Sequence, residues 1–156
     1  MERNQEGRGD AMYNNILVPI DVSHEDVAKW ILGLAGRLVG PGGKITALHV
    51  IPEVPAYTEA YVPKDVRTLR DRDLQKLAET LVKDAGLSTA HVRLERGGAY
   101  VRILEVIDQL EPDLVIIGSH RPGFTDIFLG STAARVVRHA PCSVLVDRHS
   151  VQEPSV

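Results

Sequence analysis

The chain has 156 residues, enough for one domain with a sizeable core and too few for two comfortable ones. Its 44% hydrophobic and 25% charged residues are ordinary for a globular protein in water, and a formal net charge of −3 offers nucleic acid no electrostatic attraction. No apolar run approaches the roughly 20 residues of a membrane span, and the N-terminus lacks a secretory signal's hydrophobic segment. The single cysteine, Cys142, cannot form an internal disulfide, which fits a reducing cytoplasm, and no CxxC or HExxH spacing marks a structural metal.

Residues 1–11, "MERNQEGRGDA", are polar and glycine-containing and are expected to be a disordered extension. Met12 opens "MYNNILVPID" so abruptly that it reads as a natural start, and residues 12–148 as one domain. The polar stretch 149–156 is expected to be a flexible tail.

Strands and helices alternate between these ends. "NILVPID" (15–21), "KITALHVIP" (44–52), "HVRLERG" (91–97), "DLVIIGS" (113–119) and "SVLVD" (143–147) read as strands. The first, second and fourth are nearly continuous apolar runs, as in parallel strands covered on both faces. The third alternates Val92 and Leu94 with Arg93 and Glu95, which suits an edge. Val27, Trp30, Ile31, Leu34, Ala35 and Leu38 mark the buried face of a first helix, so Trp30 is predicted to be core, and "SHED" (23–26) supplies a capping-box start. Val66, Leu69, Leu74, Leu77 and Leu81 stripe a second helix that Gly86 stops. The long preceding segment, "PEVPAYTEAYVPKD" (52–65), reads as the approach to that helix, with Tyr57 and Tyr61 as a lid in the alternative. Ile103, Leu104, Ile107 and Leu110 define a third helix ended by Glu111-Pro112. Ser131 to about His139 makes a short fourth, closed by Pro141, and Cys142 behind it reads as an apolar filler.

Crossovers of this length imply a parallel sheet with helices on both faces. If winding reverses after the third strand, the order is 3-2-1-4-5, and ligands bind where the direction switches, beyond the carboxyl ends of strands one and four. Those ends are Pro19-Ile20-Asp21 and Ile117-Gly118-Ser119. Gly118 lets a ligand approach the backbone, while Gly130, Ser131 and Thr132 open a helix whose first amides lack internal partners, an anion site. Asp21 can accept from a ribose hydroxyl or an adenine amine, and Val50 can wall a base. Together these describe a nucleotide. Singly, Gly118 is also a plain strand-to-loop turn, Ser131 a plain N-cap and Asp21 an organiser of the helix start.

The pieces "NILVPIDVS", "LHVIP", "DLVIIGSHRPGFTDIFLGS" and "ARVVRHAPCSVLVDR" make the chain similar to the single-domain universal stress proteins, from about Tyr13 to Arg148. The resemblance implies an open five-stranded Rossmann-like sheet of the adenine nucleotide alpha hydrolase type, dimerisation, and membership of a branch that binds ATP. That branch carries Gly, two residues, Gly, nine residues, then Gly-Ser or Gly-Thr. Gly118 and Gly130-Ser131 match its ends, but Arg121 replaces the middle glycine and the gap is one residue short. Gly123 stands where it can supply the lost flexibility, and Arg121 either touches phosphate or faces solvent. By position, Pro19, Ile20 and Asp21 would line the adenosine end, with Val50 against the base. Ile117 and Gly118 would follow ribose and α-phosphate, and Gly130, Ser131, Thr132 and Ala133 would hold the outer phosphates. Ser143 would add an edge contact. Mg2+ would accompany the triphosphate, although no carboxylate cluster marks a site for it.

The fifth strand is short, apolar and at the sheet edge, where free backbone groups invite the same strand of a second chain. No Walker lysine and no nucleophile–base pair stands out, which favours an ATP-dependent regulator of stress responses, acting on an unknown protein partner with little or no catalysis. The enzyme alternative is an ATP hydrolase or nucleotidyl transferase using His120 and Arg121, and the third reading is a dimeric scaffold without nucleotide. A flavin site is disfavoured, because the loop after the first strand is acidic.

Overall fold

The computed structural model describes residues 13–119 and 129–148. Its elements follow as β1 (Tyr13–Ile20), α1 (Glu25–Leu38), β2 (Val39–Ile51), α2 (Ala56–Glu59), α3 (Lys64–Asp84), β3 (His91–Arg96), α4 (Ala99–Leu110), β4 (Leu114–Gly118), α5 (Ser131–His139) and β5 (Ser143–Asp147). The strands form one parallel sheet in the order β3-β2-β1-β4-β5, as the alternation implies.

Side chains alternate between the two faces of each strand, which divides the core in two. Ile16, Val18 and Ile20 of β1 pack with Ala28, Ile31 and Leu32 of α1 and Ala78, Leu81 and Val82 of α3. Leu17, Leu48, Val115 and Ile117 pack on the other face with Ile103, Val106 and Ile107 of α4 and Val136 of α5. Among the described residues no helix is long and apolar enough to cross a membrane.

Several local expectations are corrected. Trp30 is 40% exposed, with the Arg37 guanidinium over its ring at 5.6 Å from the centroid. The buried residues of α1 are Ala28, Ile31, Leu32 and Ala35, and at about 100° per residue Trp30 stands nearly opposite that arc. The capping box does not form: α1 starts at Glu25, His24 at the N-cap position makes no side-chain cap, and Ser23 turns back to Asp21. Along α3 only the second half packs, since Val66 and Leu69 are 42% and 55% exposed. The predicted approach to that helix contains the extra turn α2, and Tyr57 within it and Tyr61 just after it are both exposed. β2 begins five residues early, because Gly40–Gly43 bulge out between the pairs Tyr13↔Val39 and Asn15↔Lys44. Cys142 is half-buried against the α4/α5 side of the core, close to its expected role.

Candidate functional site at the carboxyl end of the sheet

The sheet itself opens the crevice. β1 stays paired with β2 up to Ile20↔His49, and β4 with β5 up to Gly118↔Asp147. Between β1 and β4 the ladder holds only Ile16↔Leu114 and Leu17↔Val115. Past those pairs the two central strands have no ladder between them, and their carboxyl ends border a cavity of about 620 Å³. That size lies within the range of small-ligand sites.

Pro19, Ile20, Asp21, Val50, Ile117, Gly118 and Thr132 all line this cavity. Seven of the twelve predicted residues thus converge on one space, drawn from four elements and the turn after β1. Gly130 caps α5 with its φ at −53° and ψ at 149°, and Ser131 is the exposed first residue of the helix. The amides of Ser131, Thr132 and Ala133 precede the first intrahelical bond, from Ala134 N to Gly130 O at 2.9 Å. No acidic residue sits in that turn, so its positive dipole end is not offset by a carboxylate of its own. The Ala133 side chain is buried in the core, so only its backbone amide is available to a ligand.

Of the other five, Gly130, Ser131 and Ala133 stand beside Thr132 at the start of α5 without lining the cavity, and Ser143 does not join the group. Ser143 pairs with Leu114 at the amino end of β4, about 13 Å of strand away from the Gly118↔Asp147 pair. The expectation of an edge contact from Ser143 is therefore wrong: a residue that begins a parallel strand lies at the opposite end from the crevice. Arg121 lies outside the described residues, as do His120 and Gly123.

Among the described residues, a Cβ on Gly130 would meet nothing within 4 Å, and one on Gly118 would meet only Val27 Cγ1, at an ordinary 3.5 Å. Neither has the positive φ found at Gly42, Gly86 and Gly97. What Gly118 offers is the room its missing side chain leaves in the cavity.

Asp21 stands at the rim with its carboxylate engaged on both oxygens. Oδ1 accepts from Ser23 N at 2.9 Å and from Ser23 Oγ at 2.6 Å, and Oδ2 lies 3.0 Å from His24 Nδ1. Partial burial pushes the Asp21 pKa up, but the hydrogen bonds from Ser23 and His24 and the charge of His24 outweigh it, leaving the carboxyl below its ordinary value. These three residues have the composition of an acyl-transfer triad without its geometry. Ser23 Oγ and Asp21 Oδ2 both approach the same ring nitrogen, Nδ1, and the hydroxyl donates directly to the carboxylate. The imidazole cannot relay a proton between them, and Ser23 is not activated as a nucleophile.

Sequence reasoning missed His49. It lies inside an apolar run and reads as strand, yet it lines the cavity while only 8% exposed, with Nδ1 3.1 Å from the carbonyl oxygen of Ile20. A buried polar residue amid "ITALHVI" was the available signal. Ala99 and Ile103 at the start of α4 also line the wall.

Fold and crevice define the class: a doubly wound α/β domain with a ligand-sized opening at its topological switch point. A family model described as the universal stress protein family matches residues 12–148. Universal stress protein G of Salmonella typhimurium is 34% identical over 145 residues, covering 88% of this chain and 100% of that protein. Among solved structures, universal stress protein UspA from Lactobacillus plantarum superposes with a TM-score of 0.66 at 26% identity, over 89% of this chain and 100% of that one. The universal stress protein from Archaeoglobus fulgidus in complex with dAMP shares the fold at a TM-score of 0.55 and 18% identity, over 86% and 98% of the two chains. The chain belongs to the universal stress protein family.

Proposed function

We propose that this chain binds ATP in the switch-point crevice and serves as a nucleotide-dependent regulator of stress responses with little or no turnover. The observation that carries the reading is the convergence of Asp21, Gly118 and Thr132, distant in sequence, on one cavity. In this reading the adenosine lies against Pro19, Ile20, Val50 and Ile117, with a ribose hydroxyl donating to Asp21. The α-phosphate passes over Gly118, where a side chain would intrude. The outer phosphates meet the leading amides of α5 at Ser131, Thr132 and Ala133, with the Ser131 and Thr132 hydroxyls as further donors. An adenine nucleotide is the ligand favoured by kinship too, since the Archaeoglobus fulgidus relative was solved with dAMP. Mg2+ would travel with the triphosphate; among the described residues no group of three or more His, Cys, Asp or Glu side chains could hold it alone.

Regulation requires a surface that the nucleotide can alter, and the segment between Gly118 and Gly130 joins the two corners of the phosphate site. The half-buried edge of β5, Ser143–Asp147, supplies the homodimer contact in the same reading. Calorimetric titration with Mg2+-ATP tests the proposal. Binding at one site per chain, weakened at least about tenfold in Gly130→Leu with an unchanged melting temperature, is the expected result. No heat of binding, together with no adenine nucleotide mass in native spectra of freshly purified protein, would leave a nucleotide-free scaffold.

A further inference from the structure

Five of the eight large apolar side chains exposed among the described residues, Val54, Tyr57, Tyr61, Val66 and Leu69, fall between positions 54 and 69. The last two lie on the leading half of α3, a helix of 21 residues whose buried side chains, Ala78, Leu81 and Val82, all belong to its second half. Within 64–73 only Arg67 and Asp71 are half-buried, and they pair with Glu59 and with Arg96 of β3. At about 100° per residue, Val66 points away from that pair by about a third of a turn and Leu69 by about half. An apolar strip on a charged helix end is unfavourable in water until something covers it.

The charges beside the strip fit a second copy of the same helix. Asp65 and Arg72 flank it on one side, because residues seven apart differ by only about 20° around a helix. Both are exposed, and among the described residues neither side chain makes an ion pair or a hydrogen bond. When two such helices pair antiparallel, each flank meets the same flank of the other helix running the opposite way. With a twofold axis between Arg67 and Thr68, Val66 packs on Leu69 of the second copy. Asp65 then comes within about 3 Å, measured along the helix, of Arg72 of the second copy. Each contact occurs twice. On the other flank Arg70 meets Pro63 of the second copy, so no like charges are forced together. A parallel pair would instead set Asp73 against Asp73.

We propose that the leading half of α3 is a contact between two copies of this chain, an antiparallel helix pair centred on Val66 and Leu69 with reciprocal Asp65–Arg72 ion pairs beside them. The contact is distinct from the β5 edge. ATP has no part in it, since Leu74 is the only residue of α3 that lines the crevice.

Sedimentation equilibrium of the full chain, from micromolar to near-millimolar concentration, reads the contact. Wild type should reach a higher mass than Leu69→Lys, which removes the central apolar pair and weakens association at least about tenfold. Residue 69 is exposed, so the two should melt at the same temperature. Asp65→Lys and Arg72→Glu should each weaken association about three- to tenfold, and the two together should restore it, because the ion pairs re-form with their signs exchanged. Arg70→Glu should leave association unchanged. Pairing through β5 is the same in all these variants and does not mask the difference. Equal mass for wild type and Leu69→Lys at every concentration would overturn the contact, as would single reversals that the double variant fails to rescue. Loss in Arg70→Glu but not in Arg72→Glu would overturn the antiparallel arrangement.

Discussion

The two ends of the same sheet are built in opposite ways. At the amino end the central strands are laced together: Asp113 accepts from Asn14 N at 2.7 Å and Asn15 N at 3.0 Å. Asp113 N in turn donates to Asn15 O at 2.9 Å, and the Asn15 side chain donates to Leu110 O at 2.7 Å. At the carboxyl end β1 and β4 separate after their second pair, and their ends border a cavity with no side chain bridging the two strands among the described residues. One aspartate clamps backbone; the other, Asp21, holds only its own turn. The difference teaches that stability and binding are divided along the strand axis, so substitutions at the two ends should move different measurements.

The largest effect should come from closing the open end. Gly118→Ala places a methyl where the fold tolerates one, so the melting temperature should hardly move while ATP affinity falls at least about tenfold. Equal losses in both would show that Gly118 is a structural turn. Asp113→Ala should do the reverse. Two strand amides and the lacing between β1 and β4 lose their carboxylate, at about 1–3 kcal/mol, seen as a melting temperature lower by several degrees with ATP affinity retained. Thr132→Val keeps shape and removes one hydroxyl, which should weaken ATP about two- to tenfold in calorimetry.

The smallest effect belongs to Asp21→Asn and depends on pH. The folded-state pKa of Asp21 lies below its ordinary value, so ionisation favours the folded state above about pH 4. That contribution disappears as the pH falls through the lowered folded value. Because the side chain is about half exposed, the variant should melt only slightly lower than wild type at pH 7, and the difference should vanish under strongly acidic conditions. A gap that widens in acid would reverse the sign of the linkage.

The architecture was legible because its signals are long: apolar runs, helical stripes, and an alternation that allows 3-2-1-4-5 once the winding reverses after the third strand. The crevice followed from that order, which is why Asp21, Gly118 and Thr132 were found from positions far apart. What failed depended on one angle or one end. Trp30 shares the spacing of an apolar stripe but stands nearly opposite the arc that is buried. "SHED" has a capping box's letters, yet Ser23 found a closer acceptor in Asp21. Ser143 does begin β5, as expected, but the register puts that start at the end of the sheet away from the crevice. His49 escaped notice because a strand's periodicity says which face a residue takes, not whether a cavity runs along it.

Hydrogen exchange of the full chain with and without Mg2+-ATP tests the central claim most directly. Slowed exchange at Asp21 to Ser23, Gly118 to Ser119 and Ser131 to Ala133, with Asn14, Asn15 and Asp113 unchanged, is the predicted result. Protection spread evenly over both ends of the sheet, or none at the carboxyl ends of β1 and β4, would contradict it.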